Sequence, residues 1–204
     1  MPQLVIDVIS DVVCPWCYVG KRRLEAALTG EALVRWRPFQ LDATIPPEGL
    51  DRKAYMRAKF GDGPRLAEAH ARLKALGEEV GIAFDFEAIQ RAPNTLDAHR
   101  LIRFATEAGV GDAMTERLFA DYFERGRDIG DRAVLEAAAR DCGLGDIAAR
   151  LDSEEGVNEV REEIAAAQQM GVEGVPFFVF AEKYALSGAQ PVEVFQQALA
   201  QARE

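Results

Sequence analysis

The segment Val12-Val13-Cys14-Pro15-Trp16-Cys17-Tyr18 constrains this chain more than any other. It puts two thiols three residues apart where an apolar strand pattern gives way to a helical one. Upstream, Leu4-Val5-Ile6-Asp7-Val8-Ile9 reads as a short buried strand. Downstream, residues 19–28 carry apolar side chains at helical spacing, with Gly30 placed as a C-cap. Cys14 is therefore expected at a helix N-terminus, where unpaired backbone N–H groups and the helix dipole favour a thiolate over a thiol. Cys17, one turn further in, is the expected resolving partner that attacks a mixed disulfide formed at Cys14. The competing readings are two cysteines that fill core, or half of a zinc site. Zinc needs a second ligand pair, and the chain offers only Cys142, His70 and His99, scattered without ligand spacing, so no metal is expected.

Composition narrows the partners. The 204 residues are 49% hydrophobic and carry a formal charge of -10. That is enough apolar material for a full core, and it disfavours a nucleic-acid partner, which needs clustered Lys and Arg. The triplet Lys21-Arg22-Arg23 reads as a solvated helix face. No apolar run of membrane-spanning length is present and no secretory signal pattern is visible. The expectation is a cytoplasmic chain without a membrane partner, in which a CxxC pair is transient and catalytic and not a staple.

Residues 32–41 alternate apolar and polar side chains and predict a second strand, parallel to the first through a right-handed crossover. Pro46-Pro47 then leads out of the sheet. From about residue 50 to 169 the pattern is helical throughout, with no strand signal. Pro64 and Gly81 bound one helix, Asn94 is the expected N-cap of the next, and further helices cover about 112–125, 132–142 and 154–170. Strand pattern returns at residues 174–180 and 184–186, spaced for a hairpin whose turn, Ala181-Glu182-Lys183, lacks glycine. Pro191 opens a final helix.

In this order the chain resembles the thioredoxin superfamily, and within it DsbA-like proteins. Three stretches are closest to the FrnE branch: Cys14 to Arg22, Ala92-Pro93-Asn94-Thr95-Leu96-Asp97-Ala98-His99-Arg100, and Gly174-Val175-Pro176-Phe177-Phe178. The resemblance implies an α/β, thioredoxin-like fold with a large inserted all-helical domain. The core would occupy 1–48 and 172–204, and the insertion 49–171. It implies a thiol–disulfide oxidoreductase acting through a Cys14-Pro15-Trp16-Cys17 redox disulfide on protein or small-thiol disulfides or dithiols. The direction of electron flow is left open, as is the choice between monomer and homodimer.

The family's cis-proline loop matches Val175-Pro176, expected to be cis and within contact distance of Cys14. Pro176 joins Cys14 and Cys17 as catalytic residues, while Pro15, Trp16, Val175 and Asn94 are implied substrate contacts. Trp16 stands where the DsbA type carries a histidine, and an indole brings no positive charge to the thiolate. Asp7 matches a buried acid of thioredoxin relatives that exchanges protons with the inner cysteine, though it lies one residue further from Cys14 than in those relatives. It is a candidate proton-transfer group or, on strand alternation, an exposed or turn-capping residue. Asn94 and His99 also have purely structural readings, as cap and as satisfied helix histidine, and Cys142 reads as a small buried hydrophobe. The Ser187-Gly188-Ala189-Gln190 turn is placed beside the cis-proline loop. No tightly bound cofactor is expected, with glutathione as a redox partner or co-substrate. Two alternatives stand beside this reading. One is a glutathione-dependent enzyme like 2-hydroxychromene-2-carboxylate isomerase or kappa glutathione transferase, which usually carry serine where Cys14 stands. The other is a redox-regulated chaperone or binding module.

Overall fold

In the computed structural model, which describes residues 3–203, a four-stranded sheet carries the N- and C-terminal parts of the chain, and helices fill the stretch between them. Strand β1 (Leu4–Ser10) leads into helix α1 (Pro15–Ala27) and strand β2 (Ala32–Pro38). Strands β5 (Phe177–Phe180) and β6 (Tyr184–Ser187) and helix α9 (Val192–Ala202) complete this layer. The order across the sheet is β2-β1-β5-β6. β1 runs parallel to β2 and antiparallel to β5, so it is hydrogen-bonded on both sides.

Period-two alternation sorts the central strand's side chains onto two faces. Ile6 and Val8 are fully buried and lie opposite Phe180 and Phe178. Phe195 of α9 meets Phe178 edge-on, with ring centroids 4.8 Å apart. Ile9, on the other face, joins a smaller cluster with Phe39, Ala167 and Val172. The sheet is thus covered on both sides, as a βαβ layer requires.

Between the two parts of the sheet come β3 (Leu50–Asp51), α2 (Arg52–Phe60), α3 (Arg65–Val80), β4 (Arg91–Ala92), α4 (Leu96–Glu107), α5 (Gly111–Phe123), α6 (Arg132–Asp141), α7 (Ala148–Asp152) and α8 (Val157–Gln169). β3 and β4 form a two-residue antiparallel bridge, a strand pair too short to leave an alternation signal. An aromatic cluster fastens this region to α1. Tyr18 stacks on Phe119 at 4.9 Å, and Phe84, Phe86, Phe123 and Tyr122 continue the packing.

Several local expectations shift. β2 ends at Pro38 because the Phe39 N–H donates to the Ser10 carbonyl and the Leu41 N–H turns to the Asp11 carboxylate. The C-cap of α1 is Leu28, so Gly30 lies beyond it. The N-cap of α4 is Thr95, while Asn94 accepts from the Leu96 N–H one residue earlier. Residues 154–170 contain only α8, preceded by the separate short α7. The β5–β6 turn holds Ala181 and Glu182 at φ 51° and 57°, a left-handed conformation adopted without glycine.

Candidate active site

Helix α1 begins at Pro15, whose missing N–H and fixed φ suit the first helical position. Cys14 is its N-cap, with extended backbone angles and no side-chain capping bond, so its sulfur is not tied to the helix start. The Cys14 N–H donates to the Asp11 carbonyl at 3.0 Å, closing the turn that carries the chain from strand to helix. The two sulfurs are not bridged in the structure. They differ in surroundings: Cys17 is 1% exposed, one turn inside α1, whereas Cys14 is 4% exposed and lines an open cleft.

The Val175–Pro176 peptide is cis and faces the helix start. The Cys14 thiol donates to the Val175 carbonyl, with 3.5 Å between Sγ and O. Gly20 permits this approach. A Cβ there would stand 3.0 Å from the Phe178 ring and 3.1 Å from Pro176 Cγ, tighter than van der Waals contact allows. Gly188 in the 187–190 turn donates to the Pro176 carbonyl at 2.8 Å, and Arg23 of α1 donates to the Ala189 carbonyl at 2.7 Å. That turn therefore braces the proline loop.

Burial, then the neighbouring Cys14, push the Cys17 thiol well above its ordinary value. The Ser10 hydroxyl and the Asp11 backbone N–H act in the opposite direction, less strongly. Cys17 is therefore the thiol that keeps its proton, and Cys14 is the one a substrate can reach.

The cleft, about 610 Å³, runs from the thiol to α2 and α3. Cys14, Pro15, Trp16 and Val175 form one end, and Trp16 is 39% exposed. Leu41, Ile45, Met56, Leu66 and Phe86 make much of the wall apolar. Arg52, Lys59 and Arg65 also line it. Among the described residues none of these three is ion-paired, although Arg52 donates to the Tyr122 hydroxyl at 3.0 Å and Lys59 to that of Tyr55 at 2.9 Å. Sequence reading passed over these cations. Arg52 and Lys59 recur at seven-residue spacing on α2, but only the tertiary fold brings them to the cleft.

The remaining candidates lie elsewhere. Asn94 does not line the cleft; its amide donates to the Ile45 carbonyl and its carbonyl accepts from Gln40, tying loops behind the wall. Asp7 lies on the face of β1 that also carries Ile9, where Arg35 and Arg37 donate to its carboxylate at 2.6–2.9 Å. Arg37 continues to Glu163 of α8. The carboxylate the structure places at the thiol loop is that of Asp11. It is 1% exposed, accepts from the Leu41 N–H at 2.8 Å and faces His99 Nε2 at 3.3 Å. His99 Nε2 lies 2.9 Å from the Phe39 carbonyl, so the ring is a satisfied buried group that pins α4 to the β1–α1 loop. Cys142 is the half-buried C-cap of α6, its thiol shifted upward by burial.

Comparison with known proteins agrees with this geometry. The family model of the DSBA-like thioredoxin domain matches residues 5–200. The uncharacterised protein YwbO of Bacillus subtilis is 27% identical over 198 residues, covering 95% of this chain and 94% of that protein. A crystal structure of a probable DsbA oxidoreductase from Streptomyces coelicolor is 33% identical with a TM-score of 0.89, covering 98% of this chain and 90% of that one. The cytosolic disulfide reductase DsbM from Pseudomonas aeruginosa, solved with GSH, is similar in fold, with 21% identity and a TM-score of 0.71 over 98% of this chain and 100% of that one. With the match running almost end to end, and with the paired thiols at the start of the first helix facing a Val–Pro loop, this chain belongs to the DsbA-like thioredoxin-domain family of oxidoreductases.

Proposed function

We propose that the protein exchanges disulfides with small thiols or extended peptides through a reversible Cys14–Cys17 bridge. One observation carries this reading: the outer sulfur lines an amphipathic cleft, and a second, proton-retaining sulfur lies one helical turn further in. A substrate disulfide entering the cleft meets Cys14, whose thiolate attacks one substrate sulfur and expels the other. Cys17 then attacks Cys14, closing the bridge and releasing the second substrate thiol. Run backwards, the same steps oxidise a substrate dithiol. Burial of Cys17 keeps it protonated until the mixed disulfide exists, so the two thiols do not compete for the first attack.

The Val175 carbonyl, already in contact with Cys14, is placed to pair with the backbone of an extended substrate. Pro15 and Trp16 supply the apolar floor. Arg52, Lys59 and Arg65 suit a substrate that carries carboxylates. Glutathione has two, and DsbM was solved with GSH, so glutathione is the first small thiol to try as redox partner. A cytoplasmic setting, as in that cytosolic reductase, fits a bridge that must be opened as readily as it is closed. The three separated motifs support a finer placement in the FrnE branch.

Insulin reduction monitored beside glutathione-disulfide turnover tests the proposal. Activity in either assay that vanishes in Cys14→Ser supports it. Full activity in the double Cys14→Ser, Cys17→Ser variant would reject it.

A further inference from the structure

The resolving step requires Cys17 to lose its proton, yet the thiol is 1% exposed and its burial opposes ionisation. Asp7, one candidate for taking that proton, belongs to the opposite face of β1 and is held by two arginines. A different group lies on the correct face. Ser10 follows Ile6 and Val8 in the strand's alternation, which directs its side chain to the side where α1 packs. It is 4% exposed, and its hydroxyl, close enough to Cys17 to favour that thiol's ionised form, makes no fully formed hydrogen bond among the described residues. A buried hydroxyl left this way costs about 1–3 kcal/mol, so it calls for an explanation.

Ser10 also lines a second cavity of about 150 Å³ that shares no lining residue with the substrate cleft. That is room for several water molecules. The walls are polar enough to hold them: Arg37 comes from β2, His99, Arg103 and Glu107 from α4, and Glu163 from α8. These, with Asp11 beside His99, are the charged and titratable groups facing the region. Glu107 and Glu163 are half or about a third exposed, so the chamber communicates with solvent.

We propose that Ser10 is the proton relay for Cys17, connecting the buried thiol to water in this second cavity. The inference rests on the dithiol reading above and adds the route by which the inner thiol is activated. In the mixed-disulfide state the Cys17 proton passes to Ser10 Oγ as the Ser10 hydroxyl releases its own proton to cavity water. The Cys17 sulfur attacks Cys14 Sγ, the Cys14–Cys17 bond forms, and the bond from Cys14 to the substrate sulfur breaks. The substrate thiolate leaves with the electron pair and is protonated from the cleft. Two protein thiols are oxidised and one substrate disulfide is reduced, so atoms and electrons balance. Proton exit and substrate exit thus use separate doors.

The test is a single-turnover reaction with dithiobis(nitrobenzoate), a chromogenic disulfide that releases one coloured thiolate on attack by Cys14 and a second on resolution by Cys17. For Ser10→Ala the first release keeps its rate while the second slows by about a hundredfold, the lower end of the range for removing a positioned proton-transfer group. The deficit shrinks as pH rises, and Ser10→Thr, which keeps the hydroxyl, restores the second release. Deuterated solvent slows the second release of the unmodified protein more than the first, a readout that needs no variant. Equal rates for Ser10→Ala and the unmodified protein, or a second release indifferent to deuterium, would overturn the relay. So would Asp11→Asn slowing the second release while Ser10→Ala does not. If the unmodified protein releases only one equivalent, the dithiol reading itself fails, an outcome distinct from failure of the relay alone.

Discussion

Cys14 and Cys17 are the same side chain in two environments, and in the proposed mechanism the difference between those environments divides the labour. The outer sulfur meets the Val175 carbonyl and the cleft; the inner one meets Ser10, Asp11 and the core. Replacing Cys17 with Ala is expected to leave attack intact and to accumulate a stable Cys14–substrate adduct, visible by intact mass. Replacing Cys14 with Ser should leave neither adduct nor turnover. The inner thiol also makes a pH prediction. Its folded-state value lies above the ordinary 9.0, so the unfolded chain gives up the proton first as pH rises. The stabilisation is complete below pH 9 and is lost progressively above it. Denaturant titrations should therefore show the reduced protein losing more stability between about pH 8.5 and 10.5 than the Cys17→Ala variant, with equal losses contradicting the assignment. At this scale the sequence was legible for the thiols, because a CxxC at a strand-to-helix junction has few uses. Asp7 and Ser10 were harder. They differ by three positions on one strand, so opposite parity sends them to opposite faces, and parity becomes readable only once the register of β1 is known.

Helix α1 is the element that translates packing into chemistry. Gly20 lets it lie against Pro176 and Phe178, and Tyr18 anchors it to α5 through Phe119 and through hydroxyl contacts of 2.8 and 2.7 Å with Glu116 and Glu124. In Gly20→Ala, helix propensity gains about 1 kcal/mol while overpacking costs about 1–3 kcal/mol, so the net expectation is a loss of up to about 2 kcal/mol. The larger effect falls on activity, because the displaced proline loop is the one that meets Cys14. Thermal unfolding beside an insulin assay separates the two. Tyr18→Ala removes a fully buried ring and is expected to destabilise by about 3–5 kcal/mol, measurable by urea unfolding. The main helices and strands were readable because their apolar periods are long. The β3–β4 bridge, with two residues on each side, has no period to read, and the β5–β6 turn adopts left-handed angles at Ala181 and Glu182 where a glycine would have announced them.

Across the whole molecule the site is a joint product of sheet and helices. The sheet and α1 supply the sulfurs, and α2 and α3 supply most of the opposite wall. In a chain with a formal charge of -10, three cations on that wall without ion pairs among the described residues stand out. Arg65→Glu is expected to raise KM for oxidised glutathione by roughly five- to tenfold at low ionic strength, with little change in kcat and a smaller effect in high salt. An unchanged KM would remove Arg65 from substrate recognition. Sequence could not show this convergence, because residues on two different helices meet Cys14 only after the intervening loops have folded.

The most direct test of the central claim is equilibration of the protein across a series of glutathione redox buffers, followed by acid quenching, alkylation and peptide mapping. The expected result is one reversible two-electron transition that links Cys14 to Cys17 and leaves Cys142 outside the bridge at every ratio. Absence of the Cys14–Cys17 linkage under all oxidising ratios, or a linkage that glutathione cannot reopen, would contradict it.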